Sequence, residues 1–439
     1  MSLPKYPHYK PSGVEWLGEV PAHWDMFRMG SLFRDVNEPG NDELPVLSVS
    51  IHDGVSDKEL DENEMDRKVT RSDDRSKYKL VMPGDLTYNM MRAWQGGFGT
   101  VAAHGMVSPA YVVARPVRRF MTFFAEMILR TPNAVAEMKR HSRGVTDFRL
   151  RLYWEDFKCI EIALPPADEQ AEIVDFIKHE TSKIDALIAE QAKLIALLAE
   201  KRQATISHAV TRGLDPAAPM KDSGVAWLGE VPAHWEVKRV KDCGCEVVDC
   251  KNRTPEPHVE GDYFVVRTSC VKDGQFNPEP GYWTDEANFI EWTAKGRPQA
   301  GDVLFTREAP AGEACLAPED LDFCLGQRMM YIRPPKDFLL SKFLLYSIYG
   351  GLAREKISEK SKGSTVGHLR VGEVGELPLL VPPLGEQQEL VDFIGDELEK
   401  IKNLAVASNR AIALLKERRA ALIAAAVTGQ IDVRGWRVN

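Results

Sequence analysis

The sequence predicts an α+β protein of two pseudo-symmetric halves, with two long helices forming an intrachain coiled coil. Three observations carry this. The 439-residue chain repeats itself. Two uninterrupted amphipathic stretches close the two repeats. Between the repeated segments lie two unlike regions rich in turn punctuation and short apolar runs. The period is far too long for a solenoid, so a duplicated domain pair is the better reading.

The first element is a repeated segment. Ser12–Trp24 reads SGVEWLGEVPAHW and Ser223–Trp235 reads SGVAWLGEVPAHW, with twelve of thirteen positions alike. Trp16, Trp24, Trp227 and Trp235 stand beside Gly and Pro within it. Tryptophan at that density marks either core or an anchor for a partner, and all four are candidate partner-binding residues.

The second element is the variable region, residues 26–164 in the first half and 236–381 in the second. Only its punctuation survives duplication. Pro83-Gly84-Asp85 answers Ala300-Gly301-Asp302, and Arg115-Pro116 answers Arg333-Pro334. A shared fold with altered surface chemistry follows, one job done on two different targets.

The third element is helical. Pro165-Pro166 disfavours helix before it, Asp168 is a good N-cap, and Glu169 suits the first turn. Ile173, Phe176, Ile177, Ile184, Leu187, Leu194 and Leu198 follow at helical spacing, and Gly213 and Pro216 end the run. The second copy opens at Gly385-Glu386 and stops near Gly429. At 1.5 Å per residue each helix is about 65 Å long. A seven-residue repeat places Ile184, Gln191, Leu198 and Thr205 on one seam row, with Leu187 and Leu194 on the other. Ile401, Ser408, Leu415 and Leu422 match, with Leu404 and Ala411. Burying that seam calls for a coiled coil between the helices; the alternative is that each packs on its own domain. The organisation expected is 1–25 repeated segment, 26–164 first variable domain, 165–213 central helix, 214–235 linker and second repeated segment, 236–381 second variable domain, 382–439 C-terminal helix and tail.

Composition excludes several function classes. The net charge is −9, from 56 basic and 65 acidic residues, so no uniform basic coat exists, although a basic groove can. No apolar run reaches the roughly 18 residues of a membrane span. Seven scattered cysteines argue for a reducing compartment, and a cytoplasmic protein is expected. GxxxxGK[ST], GxGxxG after a strand, [DN]PP[YF], HExxH and GxSxG are all missing. Cys243, Cys245, Cys250 and His258 do not have a usual zinc spacing. No catalytic residue and no metal ligand is expected.

Nucleic acid remains. Between Arg115 and Arg151 stand nine Lys/Arg against three Asp/Glu. The loop Tyr88–Gly99 holds Asn89, Arg92, Trp94 and Gln95, side chains suited to base edges. A second loop, His141–Arg151, holds Arg143, Thr146 and Arg149. The corresponding stretches of the second half offer Arg307, and then Lys362, Ser364, Thr365, His368 and Arg370. These are the candidate DNA-binding residues.

The order of motifs resembles the specificity subunit of type I restriction–modification systems. The likeness lies in SGVxWLGEVPxHW at Ser12 and Ser223, the PGDL-like turns at Pro83 and Ala300, the LPPxxEQ-type openings at Leu164 and Val381, and the AVTxG endings at Ala209 and Ala426. It covers nearly the whole chain. The resemblance implies two target-recognition domains, each reading one half of a split double-stranded DNA target, separated by antiparallel helices that set the spacing. It implies that the repeated segments and helices dock two modification subunits, joined by restriction subunits. S-adenosylmethionine, ATP and Mg would sit in those partners, with none in this chain.

Overall fold

The computed structural model describes residues 4–41, 43–51, 54–58, 77–144, 150–224, 228–361 and 368–436. The chain divides into two compact units, 1–191 with 410–439, and 192–409. The helices form no third body: residues 167–191 of the first long helix belong to one unit and 192–212 to the other.

In the first unit the repeated segment folds as a hairpin, Tyr9–Pro11 against Glu19–Pro21. Strand Asp25–Arg28 then pairs antiparallel with Glu161–Leu164. That pairing clamps the variable region at the boundaries where the repeats diverge. Inside it, four antiparallel strands lie in the order 33–35, 111–116, 86–89, 98–100. Leu86, Tyr88, Phe98 and Phe157 fill its core. Helices Thr122–Leu129 and Pro132–His141 follow, the second with Pro132 in its first turn and Thr131 as N-cap.

The second unit repeats this plan in a different sequence. Its hairpin pairs Met220–Asp222 with Glu230–Pro232, and Glu236–Arg239 pairs with Pro378–Val381. Its four strands run 246–249, 329–333, 303–306, 314–316, the same order and sense. Helices Ser341–Tyr349 and Gly351–Ser361 stand where the first unit has its pair. The second unit adds a three-stranded sheet, 282–284, 263–266, 323–325, and the helix Glu286–Thr293 capped by Asp285.

The shared punctuation has a physical cause. Asp85 and Asp302, both buried, each accept a backbone N–H three residues upstream, from Met82 and Gln299. Each then receives an arginine from the neighbouring strand, Arg115 Nε at 3.0 Å and Arg333 Nε at 2.7 Å. A second carboxylate completes each pair, Glu38 at 2.9 Å and Glu246 at 3.1 Å. The aspartate hydrogen bond holds both guanidinium groups above their ordinary range. Each pair bridges two strands of its sheet.

The long helices run Ala167–Arg212 and Leu384–Val427. Both end at a left-handed glycine, Gly213 (φ 72°) and Gly429 (φ 73°). A Cβ at Gly429 would lie 2.4 Å from Pro21, so only glycine fits. In the first unit, Ile173, Val174, Phe176 and Ile177 share a core with Ala426 and Val427, while Asp185 meets Arg419 at 2.9 Å. Rising numbers on one helix meet falling numbers on the other, so these segments are antiparallel. In the second unit Ile206, Ala209 and Val210 share a core with Leu390, Val391 and Ile394. The two packing alternatives are therefore combined: the ends of the helices pack on the domains, and the remainder on each other.

One seam row differs from expectation. Ile184, Leu198, Ile401 and Ser408 are buried as predicted. Leu187, Leu194 and Leu404 are 53%, 38% and 53% exposed and lie outside the seam. The second row is instead Thr181, Ile188, Ile195 and Arg202, matched by Leu398, Ala405, Ile412 and Arg419, all buried or half-buried. One heptad back, the expected row begins at Glu180 and Glu397, and the observed row at Thr181 and Leu398. The observed rotation therefore opens the seam on uncharged side chains. The arginines at its far end lay their stems along it and reach outward, Arg202 to the Asp273 carbonyl and Arg419 to Asp185.

Both ends of the chain close the first unit. The Asp432 N–H donates to the Pro4 carbonyl at 2.8 Å, the Tyr9 hydroxyl to the Gly429 carbonyl at 3.0 Å, and Trp436 packs on Phe176 and His179. No helix among the described residues is long and apolar enough to cross a membrane.

Candidate nucleic-acid interface

The two loops singled out in each half come together, in the same way in both. In the first domain, strand Leu86–Asn89 ends in the loop of Arg92–Gln95. The Leu152 N–H donates to the Met90 carbonyl at 2.9 Å, and the Arg143 and Arg151 backbones bridge. In the second domain, strand Val303–Thr306 ends at Arg307, whose carbonyl accepts from the Leu369 N–H at 3.0 Å. Glu308 and His368 also bridge, one from each of the two loops. Each domain thus presents a composite edge where two distant loops meet.

The first edge is internally braced. Asn89 Oδ1 accepts from the Met91 N–H at 3.0 Å, an Asx turn that sets the loop. Trp94 Nε1 donates to the Met91 carbonyl, and Lys139 lies 5.5 Å over its ring. Arg92 reaches Gln95 at 3.3 Å, and Arg143 pairs with Asp156 at 2.5 Å while most of its side chain stays in solvent. Arg92, Gln95 and Arg143 are held by single surface contacts that cost little to exchange. Thr146 and Arg149 lie outside the described residues.

The second edge differs in chemistry. Arg307 is 8% exposed, and its Nε lies 3.3 Å from Asp249. The structure corrects its role: it stands under the edge, where Asp249, on the strand two places across the sheet, draws the guanidinium inward. His368 pairs with Glu308, which also holds Arg328 at 2.9 Å. Arg370 is exposed at the start of the short helix Val371–Gly375, where its N–H donates to Glu373. Lys362, Ser364 and Thr365 lie outside the described residues. Sequence reading passed over Arg328, exposed with φ 73°, and over Gln327, whose Nε2 reaches Asn252 Oδ1 at 3.5 Å. They are separated in sequence from the loops, and no motif marks them.

The tryptophans expected to anchor partners are explained by the other repeated motif. Trp24 Nε1 donates to Glu169 Oε1 at 3.0 Å, and His23 Nε2 lies 2.7 Å from Glu169 Oε2. In the second half Trp235 Nε1 donates to Glu386 Oε1 at 3.0 Å, and His234 lies 2.7 Å from Glu386 Oε2. The His-Trp of the first motif is latched by the Glu of the second. The neighbouring glutamine completes the join: Gln170 accepts from the Met121 N–H and Gln387 from the Leu340 N–H. Trp24 and Trp235 are wholly enclosed by their own domains, a correction from docking residue to core. Trp16 is half-buried against the first core, and Trp227 lies outside the described residues.

All seven cysteines are free thiols. Burial pushes Cys243 up to about 11 and Cys245 up to about 12. His258 is engaged with Asp285 at 3.3 Å.

Comparison with known proteins agrees with this plan. The family model described as "Type I restriction modification DNA specificity domain" matches residues 232–409, which lie within the second unit. The type I restriction enzyme MjaVIII specificity subunit of Methanocaldococcus jannaschii is 21% identical, covering 94% of this chain and 94% of its own length. A chain from a solved structure concerned with assembly and conformational transition of the type I R-M system matches with a TM-score of 0.70. Its identity is 18%, over 93% of this chain and 98% of that one. The HsdS subunit of Thermoanaerobacter tengcongensis matches with a TM-score of 0.54 and 19% identity, over 93% and 98%.

Proposed function

We propose that the chain is a specificity subunit of a type I restriction–modification system, and that each composite edge reads one half of a bipartite DNA target. One observation carries the proposal. Two domains with the same strand order and the same buried Asp–Arg brace present, at the same place, unlike side chains. Asn89, Arg92, Trp94, Gln95 and Arg143 face one half-site; His368, Arg370, Arg328 and Gln327 face the other. Amide and guanidinium groups fit base edges in the major groove, while lysines and arginines around them take phosphates.

The long helices set the distance between half-sites. Supporting this, each is unbroken where the chain passes from one compact unit into the other. Their seam buries side chains of both helices, and a stiff pair makes a ruler. The row Leu187, Leu194, Leu404 left outside the seam gives two modification subunits an apolar surface to dock on. Those partners bring S-adenosylmethionine and the methyl transfer, and restriction subunits bring ATP and Mg; this chain supplies the address.

Exchange of residues 26–164 for another variable domain tests the reading. Methylation mapping in cells carrying the complex should show one half-site changed and the other retained. Insertion of four residues beside Leu194, matched by four in the second helix, should alter the gap and neither half-sequence. A change in both half-sequences after the exchange overturns the division of labour.

A further inference from the structure

The two Glu–His–Trp latches are built alike and finished differently. In the first copy a third donor arrives: the Tyr6 hydroxyl donates to Glu169 Oε1 at 2.7 Å, its ring edge-on to Trp24 at 6.1 Å. The Arg434 guanidinium lies 4.8 Å over the Tyr6 ring and is held by Asp432 at 2.7 Å. Burial, and then the Glu169 hydrogen bond, push the Tyr6 hydroxyl well above its ordinary range. The carboxylate there is sealed.

In the second copy one residue stands for both covering side chains. Ala22 N–H donates to the His8 carbonyl, and Ala233 N–H to the Pro219 carbonyl, which aligns Tyr6 with Ala217. Asp432 Oδ1 accepts from the Arg434 N–H, and Asp215 Oδ1 from the Ala217 N–H, which aligns Arg434 with Ala217 as well. The linker between the halves merges two segments into one, and an alanine methyl replaces a phenol and a guanidinium. A half-open cavity of about 450 Å³ opens beside Ala217, with Asp215 and Ala218 in its wall. Arg212, Asp215, Pro232, His234, Glu386 and Glu389 line it, with Gly213 at its floor beside Trp235. Three carboxylates face one arginine and one histidine, so its field favours a cation.

We propose that this cavity is a binding site for a tyrosine side chain flanked by basic residues, carried by a partner polypeptide, with the phenol hydroxyl donating to Glu386. The first copy shows that the same carboxylate, histidine and indole accept a phenol, and that a guanidinium completes the stack. The site lies within the second unit and is independent of the DNA-reading edges.

The test uses the full chain and the peptide acetyl-Lys-Tyr-Arg-amide, followed by calorimetry. One peptide should bind per chain. The phenylalanine version should bind roughly tenfold more weakly or worse, the loss of one hydrogen bond to a charged acceptor. Ala217→Tyr should fill the site in cis and abolish binding while leaving the first latch untouched. Tyr6→Ala should open a second site and raise the stoichiometry from one to two. Equal binding of the tyrosine and phenylalanine peptides, undiminished binding by Ala217→Tyr, or no binding at millimolar peptide overturns the proposal. So does a dimer dissolved by both Tyr6→Phe and Ala217→Tyr, because the occupant would then be a second copy's own N-terminal segment.

Discussion

The two variable domains share a skeleton and almost none of their surface. Both hang four antiparallel strands on a buried aspartate reached by an arginine from the next strand. Both bring a strand-end loop against a second loop through a backbone hydrogen bond, Leu152 to Met90 and Leu369 to Arg307. At those loops one domain offers Asn, Arg, Trp and Gln, and the other buries its arginine and offers His and Arg beside a glutamate. The difference teaches where constraint lies. Residues that brace strands answer to the fold, while residues that crown the loops answer only to what they touch.

The hardest way to break the comparison is at the latch. Trp24→Ala and Trp235→Ala should each cost about 3–5 kcal/mol, the range for losing a buried large aromatic. The first should cost more, since Glu169 accepts a third bond from Tyr6. Hydrogen exchange resolved by domain, alongside denaturant melts, reads both losses separately; equal losses would remove the distinction between sealed and open latches. Next in size are the strand braces. Arg115→Met and Arg333→Met each strand a buried aspartate at a cost of about 2–4 kcal/mol, below the fully buried case because the arginines keep some solvent. Arg333→Met combined with Asp302→Leu should recover part of that loss in the same melts. If the double change is worse than the single one, the brace is not an isolated pair.

Smaller effects sharpen the description of the helices and of Tyr6. Ile184→Ala should cost about 2–3 kcal/mol and Leu187→Ala at most about 0.5 kcal/mol, measured by thermal melts. A reversed order would restore Leu187 to the seam. At high pH the Tyr6–Glu169 contact should weaken. The Tyr6 hydroxyl has a folded pKa raised by burial and Glu169, so folding favours its protonated form. Its stabilisation is complete below the ordinary tyrosine value of about 10 and is lost as pH rises beyond it. Tyr6→Phe should reduce the alkaline sensitivity of the first unit, to which buried Tyr88 and Tyr111 also contribute, followed by exchange in that unit against pH.

Much of this was legible because duplication repeats what the fold requires. The Pro-Gly-Asp and Arg-Pro punctuation survives between otherwise unlike domains, and it proves to be the brace. Glycine and the Pro-Pro pairs mark the helix ends. The seam was half legible. Leu-Ile pairs at 187–188 and 194–195 give two apolar stripes of equal weight, and a heptad count fits either. The step back from Leu187 to Glu180, against the step from Ile188 to Thr181, is the signal that separates them. Arg307 read as a surface cation because its partner Asp249 is distant in sequence. The latch was visible in its parts, His-Trp and Glu-Gln, each repeated in both halves; what ties them is a hydrogen bond that no spacing announces.

The knitting of Pro4 to Asp432 has a consequence for how the molecule is made. Residues 192–409 are contiguous and can close their core while still near the ribosome, since domains fold as units during synthesis. The unit that contains the start of the chain lacks Ala426, Val427 and Trp436 until the last stretch emerges. The portion translated ahead of residues 192–409 is therefore finished after them, and until then Trp24 and its neighbours wait for their packing partners.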